Sequence, residues 1–168
     1  WVRKNSNKKF DKNGEFAKAG RVDQLILNQA IDNFKINSYS QSLDIKNFDI
    51  SFVRGLSLED GCATLTNFTA YLIAEGLKYI SKKKSITFLL CGGGRKNINL
   101  IHCIKNYLKN ENNITLEVID NYNLKGDYIE SQAFGFLAIR SFLNLPISFP
   151  NTTRCKGFTV GGKLVENY

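Results

Sequence analysis

Between Glu59 and Ser81 apolar side chains return every three or four positions. Ala63, Leu65, Phe68, Leu72, Ile73, Leu77 and Ile80 form a wide stripe, the pattern of a long helix with a buried side. Glu59 and Asp60 open the segment, where the positive end of the helix dipole favours acids. Thr64, Thr66 and Thr69 lower its intrinsic propensity, so packing must offset that cost. Val22, Leu25, Ile26, Gln29 and Ala30 repeat the same period and predict a short helix over 21–34. Before it, Phe10-Asp11-Lys12-Asn13-Gly14 and Ala19-Gly20 read as a turn leading into that helix. From Lys35 to Leu58 no period is sustained, and the stretch reads as a loop with short irregular pieces.

The run Ile86-Thr87-Phe88-Leu89-Leu90-Cys91 does not alternate and suits a strand buried on both faces. It ends in Gly92-Gly93-Gly94, after which Asn97 is placed to cap a helix carrying Ile98, Ile101, Ile104, Tyr107 and Leu108. Leu116-Glu117-Val118-Ile119 reads as a second strand. Helix, strand, glycine turn, helix, strand is a parallel α/β pattern with a right-handed crossover. A last helix runs from Asp127 to about Leu143, with Ile129, Ala133, Phe136, Leu137 and Arg140 among its facing positions. Asn144-Leu145-Pro146 stops it, since proline cannot continue a helix. Phe149-Pro150-Asn151-Thr152-Thr153 and Val160-Gly161-Gly162 carry loop and hairpin signals. The length of 168 residues suits one domain, with a helical and irregular lead-in over 1–58 and an α/β core over 59–168.

Composition changes this picture little. A hydrophobic share of 43% places the chain among sequences able to bury a core. No apolar run approaches the roughly 18 residues of a membrane helix, and the first residues lack a signal-peptide pattern, so the expected compartment is the cytoplasm. The formal charge of +8 raises the question of nucleic acid, but Lys and Arg are scattered. Their one dense run, Lys82-Lys83-Lys84, follows a helix, where cations are solvated and favoured by the dipole. No aromatic-basic ribonucleoprotein signature supports RNA binding, the weakest reading. Cys62, Cys91, Cys103 and Cys155 form no CxxC pair, and His102 has no partner at metal-ligand spacing. Free thiols and no protein-held metal are expected. The chain opens with Trp1 and contains no Met, so a portion of a longer protein is expected.

In open α/β sheets ligands bind beyond the carboxyl ends of the strands, and glycine lets backbone approach them closely. Gly92-Gly93-Gly94 stands at such a place, with helix N-terminal N–H groups just beyond. It is neither a Walker loop nor a GxGxxG fingerprint, and a triple glycine alone also reads as a tight turn. His102 reads as a surface or packing residue.

Four runs add specificity: Asp60-Gly61-Cys62-Ala63-Thr64-Leu65-Thr66; Cys91-Gly92-Gly93-Gly94-Arg95-Lys96-Asn97; Gly126-Asp127-Tyr128-Ile129-Glu130-Ser131-Gln132-Ala133-Phe134; and Leu145-Pro146-Ile147-Ser148-Phe149-Pro150-Asn151-Thr152-Thr153. Taken in order they resemble the anhydro-N-acetylmuramic acid kinase family, from about Asp11-Lys12-Asn13-Gly14 to Gly161-Gly162. The resemblance implies the sugar kinase, Hsp70 and actin superfamily. The expected fold is then α/β, a partial ribonuclease-H-like (actin-like ATPase) domain with a mixed sheet, flanking helices and its N-terminal strands missing.

The same resemblance implies ATP, with Mg, as phosphoryl donor and 1,6-anhydro-N-acetylmuramic acid as acceptor. The anhydro ring would open hydrolytically to give N-acetylmuramic acid 6-phosphate in cell-wall recycling. Gly92, Gly93, Gly94 and Asn97 would line the adenosine side of the cleft. Glu130 would contact the sugar from an interdomain helix, although an acid in a helix's first turn has a plain dipole reading too, and so has Asp60. Thr64 and Thr66 could face the cleft, with a role in helix packing the stronger reading. The family's Gly-Thr-Ser-x-Asp-Gly loop and Asp-Thr-Gly-Pro-Gly-Asn segment, which supply phosphate contacts and the catalytic base, do not occur here. No catalytic residue is therefore expected in this chain; the missing half, in the same or a separate chain, would provide it. Ser40-Gln41-Ser42 stands where the family commonly has Pro-Lys-Ser, and Arg154 where glycine is usual. The alternative is a noncatalytic remnant or nucleotide-binding module of a split or decaying kinase gene.

Overall fold

The computed structural model describes residues 1–34, 47–82, 84–163 and 165. Ser40-Gln41-Ser42 and Lys83 lie outside them. Two compact units, Trp1–Val118 and Ile119–Tyr168, divide the chain, and each is taken by itself.

The first unit is built around one long helix. Its elements are α1 (Val2–Asn5), α2 (Glu15–Ala19), α3 (Gln24–Asn33), α4 (Leu58–Ser81), β1 (Ile86–Leu90), α5 (Ile98–Tyr107) and β2 (Ile114–Val118). Single 3-10 turns lie at Lys12–Gly14, Ser51–Val53 and Gly93–Lys96. α4 starts where Ser57 Oγ accepts the Asp60 N–H at 3.0 Å, which satisfies one of the free donors of the first turn. It ends at Lys82, whose left-handed φ of 41° lets its N–H reach the Lys78 carbonyl at 3.3 Å.

The wide stripe of α4 is explained by its neighbours on two sides. Phe68 meets Leu27 and Ala30 of α3 in one buried cluster, and the Phe34 and Phe52 rings stand edge-on to it at 5.4 and 5.2 Å. Ala70 and Ala74 are fully buried in the other, against Cys103 and Ile104 of α5, Leu108 at its C-cap and Leu116 of β2. Alanine at both positions lets the two helix backbones approach closely.

β1 and β2 pair in parallel, Phe88 beside Leu116 and Leu90 beside Val118, with α5 as the crossover. This is the expected α/β pattern, although the described sheet holds two parallel strands rather than a mixed set. The expectation of a strand buried on both faces is corrected. Phe88 and Leu90 pack on the α4–α5 cluster, whereas Thr87 is exposed and Leu89 is 42% exposed. α4 and α5 lie on the same face, so alternate residues of β1 point the other way.

The second unit contains a 3-10 turn (Ile119–Tyr122), α6 (Ile129–Phe142) and α7 (Pro150–Thr153). After α6 the chain reverses at Asn144, φ 54°, and Arg140 Nε donates to the Pro146 carbonyl at 2.6 Å. Ser148 and Thr159 form an antiparallel bridge, the hairpin signal of the tail, while Phe149 to Thr153 winds into one helical turn with Pro150 at its start. α6 itself buries no residue; Phe134 is 65% and Phe142 72% exposed. Among the described residues, no helix is long and apolar enough to cross a membrane.

Candidate functional site

β1 carries the chain straight to the glycine turn. Cys91 is exposed, and Gly92 follows at φ 72° and ψ −175°, a conformation almost confined to glycine. Gly93 and Gly94 enter the 3-10 turn without positive φ. At all three positions an added Cβ would meet nothing within 4 Å. Neither internal crowding nor, at Gly93 and Gly94, backbone strain demands glycine there. The result is a stretch of bare, open backbone at the carboxyl end of a strand, the geometry that accepts a ligand laid flat against main chain.

The turn is held from its carbonyl side. Arg95 Nη1 donates to the Gly92 carbonyl at 2.8 Å, and the Asn97 N–H donates to the Gly94 carbonyl at 3.0 Å. Asn97 Oδ1 then accepts the Leu100 N–H at 2.9 Å, the cap expected from the sequence. Arg95, Lys96 and the N-terminus of α5 stand close by in sequence, and cations and helix N-termini are groups that favour an anion.

Asn97 also lines a groove of about 330 Å³ between α1, the following loop and the start of α4, with Arg3, Lys9, Asp11 and Thr66 among its walls. Gly92, Gly93 and Gly94 are not among its lining residues. Thr66 thus faces the groove, whereas Thr64 is fully buried and its Oγ1 accepts the Asp23 N–H at 3.1 Å. Asp60 binds the Arg21 N–H at 2.7 Å, and this bond first, then the one with Ser57, holds its carboxyl below the ordinary range. Its role in the fold is therefore a loop anchor. His102 is exposed on α5. In the second unit Glu130 is exposed in the first turn of α6.

Among the described residues no group of three His, Cys, Asp or Glu side chains is arranged to hold a metal. The open glycine turn itself offers an ion no side-chain ligands. Sequence reasoning missed the Asp11–Gly14 turn as a structural partner of the site. Gly14 sits at φ 75° directly against Asn97. The Asp-Lys-Asn-Gly run signals the turn but not what packs on it.

Fold and turn together define an α/β chain that offers ligands backbone at a strand end. A family model for anhydro-N-acetylmuramic acid kinase matches residues 1–166, and the chain belongs to that family. It is 50% identical over 173 residues to an anhydro-N-acetylmuramic acid kinase of Pelagibacter ubique, covering 100% of this chain and 46% of that protein. Proteins of the same name from Zymomonas mobilis and Rhizorhabdus wittichii are 33% and 36% identical, over 98% and 96% of this chain and 44% and 43% of theirs. The chain therefore spans under half the length of these curated relatives.

Proposed function

We propose that this chain is the nucleotide-side portion of an anhydro-N-acetylmuramic acid kinase with a ribonuclease-H-like core. Joined to the rest of the kinase, in one chain or two, it would phosphorylate 1,6-anhydro-N-acetylmuramic acid in the cytoplasm and open the anhydro bridge to give N-acetylmuramic acid 6-phosphate. The observation that carries this reading is the open backbone of Gly92, Gly93 and Gly94 at the end of β1.

ATP supplies the transferable phosphoryl group, its charge offset by Mg. The chain's own residues bind and orient. Gly92, Gly93 and Gly94 let the adenosine part lie against main chain, Asn97 fixes the start of α5 beside it, and Glu130 contacts the sugar. Phosphoryl transfer depends chiefly on such positioning and on charge stabilisation. The base that activates water lies outside these 168 residues. The exposed apolar side chains of α6 support the same view, because Phe134, Phe136, Ile139 and Phe142 are each more than half exposed, and apolar surface of that extent is the kind that further protein covers.

The test is ADP release and sugar phosphate formation by the full-length kinase containing this chain, by its Gly94→Val variant and by the chain alone. Turnover by the full-length protein, a loss of about a hundredfold or more in the variant and none by the chain alone are expected. An unchanged Gly94→Val enzyme, or turnover by the chain alone, would contradict the reading; an inactive full-length protein would point to a noncatalytic remnant.

A further inference from the structure

Gly14 occupies a place that the chemistry described so far does not use. It closes the turn Asp11-Lys12-Asn13-Gly14, in which Asn13 and Gly14 are both left-handed, at φ 56° and 75°. The turn is stiffened from below, since Asp11 Oδ1 and Oδ2 accept the N–H groups of Phe16 and Ala17 at 2.9 and 3.1 Å. A Cβ on Gly14 would collide with Asn97 Oδ1 and come within 2.7 Å of Asn99 Cβ. The oxygen it would strike is the one that caps α5 through Leu100. The N–H of the same Asn97 holds the Gly94 carbonyl.

We propose that Gly14 is a positioning residue for the nucleotide turn: its bare Cα seats the Asn97 amide, and Asn97 ties the start of α5 to Gly94. The proposal rests on reading Gly92 to Gly94 as the nucleotide contact. A methyl group at Gly14 must displace the Asn97 side chain, because the turn is fixed by Asp11 and the neighbouring atoms belong to a helix start. Displacing it releases the Leu100 N–H from its cap and so loosens the Asn97 backbone, whose N–H holds the Gly94 carbonyl.

The test uses the labelled chain and its Gly14→Ala variant, with Leu27→Val, in the separate α3 cluster with Ala30 and Phe68, as a generally destabilised control. Two quantities are read: hydrogen exchange at Leu100 relative to Leu108, the residue that caps the far end of the same helix, and the Kd for ATP. Gly14→Ala is expected to accelerate Leu100 relative to Leu108 by about tenfold and to raise the Kd for ATP by a similar factor, the scale of a lost helix cap. Leu27→Val should lower the unfolding temperature and leave the exchange ratio and the Kd in place. Gly14→Ala/Asn97→Ala should accelerate Leu100 relative to Leu108 no more than Asn97→Ala alone, since the capping oxygen that the methyl strikes is already gone, while the remaining contact with Asn99 Cβ and the positive φ at position 14 lower only the overall stability. Asp11→Asn loosens the turn without adding a methyl, and should move both quantities in the same direction if Gly14→Ala does not fold. An unchanged Leu100 ratio overturns the proposal. A changed ratio with an unchanged Kd overturns the link to nucleotide. Absence of any ATP response in the unaltered chain defeats the nucleotide reading instead, while the exchange ratio still decides whether Gly14 positions Asn97.

Discussion

Thr64 Oγ1 accepts the backbone N–H of Asp23 at 3.1 Å, joining the middle of the first unit to the cap of α3 from a fully buried position. Asp23 itself caps that helix by accepting the Ile26 N–H at 2.9 Å, so one contact fixes both where α3 starts and how it lies on α4. Valine has the shape of threonine but would leave the Asp23 N–H without this acceptor. Thr64→Val should destabilise the fold by about 1–3 kcal/mol, and Thr64→Ser by less, measured by urea unfolding. Equal stability of Thr64→Val and the unaltered chain would show that the bond carries little.

Trp1 packs its indole against Gly61 on α4 and donates from Nε1 to the Leu58 carbonyl at 3.1 Å. A side chain on Gly61 would occupy the place of the ring. Since Trp1 is the single tryptophan, its emission reports the contact alone. Gly61→Ala should shift that emission to the red, even though alanine is otherwise favoured over glycine within a helix. An unshifted spectrum would mean that the ring is not seated there.

Asp60 sets an acid limit. Its carboxyl lies below the ordinary value because it accepts from the Arg21 N–H and, second, from Ser57. A lowered native pKa contributes stability that is present above the unfolded value, near 3.8, and is lost as pH falls through the native value. Unfolding midpoints measured from pH 6 to pH 2 should therefore drop on the acid side, and less steeply for Asp60→Asn.

The cysteines should separate in reactivity. Burial, with the Asp11 carboxylate adding to it, pushes the Cys62 thiol up to about 11, and burial also raises Cys103. The Thr153 hydroxyl, followed by Ser148 and Thr159, lowers Cys155. Iodoacetamide at pH 8 should modify Cys155 at least about tenfold faster than Cys62 or Cys103, as read by peptide mass spectrometry, because the thiolate is the reacting species. For Cys62 the linkage runs toward alkali: its neutral form contributes stability below the unfolded thiol value, and that contribution is lost as pH rises through about 11.

Much of the first unit was legible because periodicity records burial. α4 and α5 bury one or two faces in a regular stripe, so Ala63, Phe68 and Ile104 announce their elements, and Asn97 announces its cap. β1 departs from its pattern, because a run of large apolar residues suits two buried faces although Leu89 points away from the helices. The short helices before Gly20 leave no pattern in the sequence, since four- and five-residue helices carry too few turns for a period. The seat of Asn97 on Gly14 was invisible for a different reason. It is a long-range fit between a turn and a helix cap, and only Gly14's need for positive φ leaves a local trace. Glu130 rests on the resemblance alone; it stands exposed in the first turn of α6.

The central claim is that adenine nucleotide lies against the open glycine backbone after β1. Its most direct test is an ATP titration of the isotopically labelled chain, following the backbone amide signals. Saturable shifts centred on Gly92, Gly93 and Gly94 and reaching Asn97 are the expected result. Saturable shifts confined elsewhere, such as the hollow between α3 and Ser51–Val53, or no saturable shift at all, would contradict it.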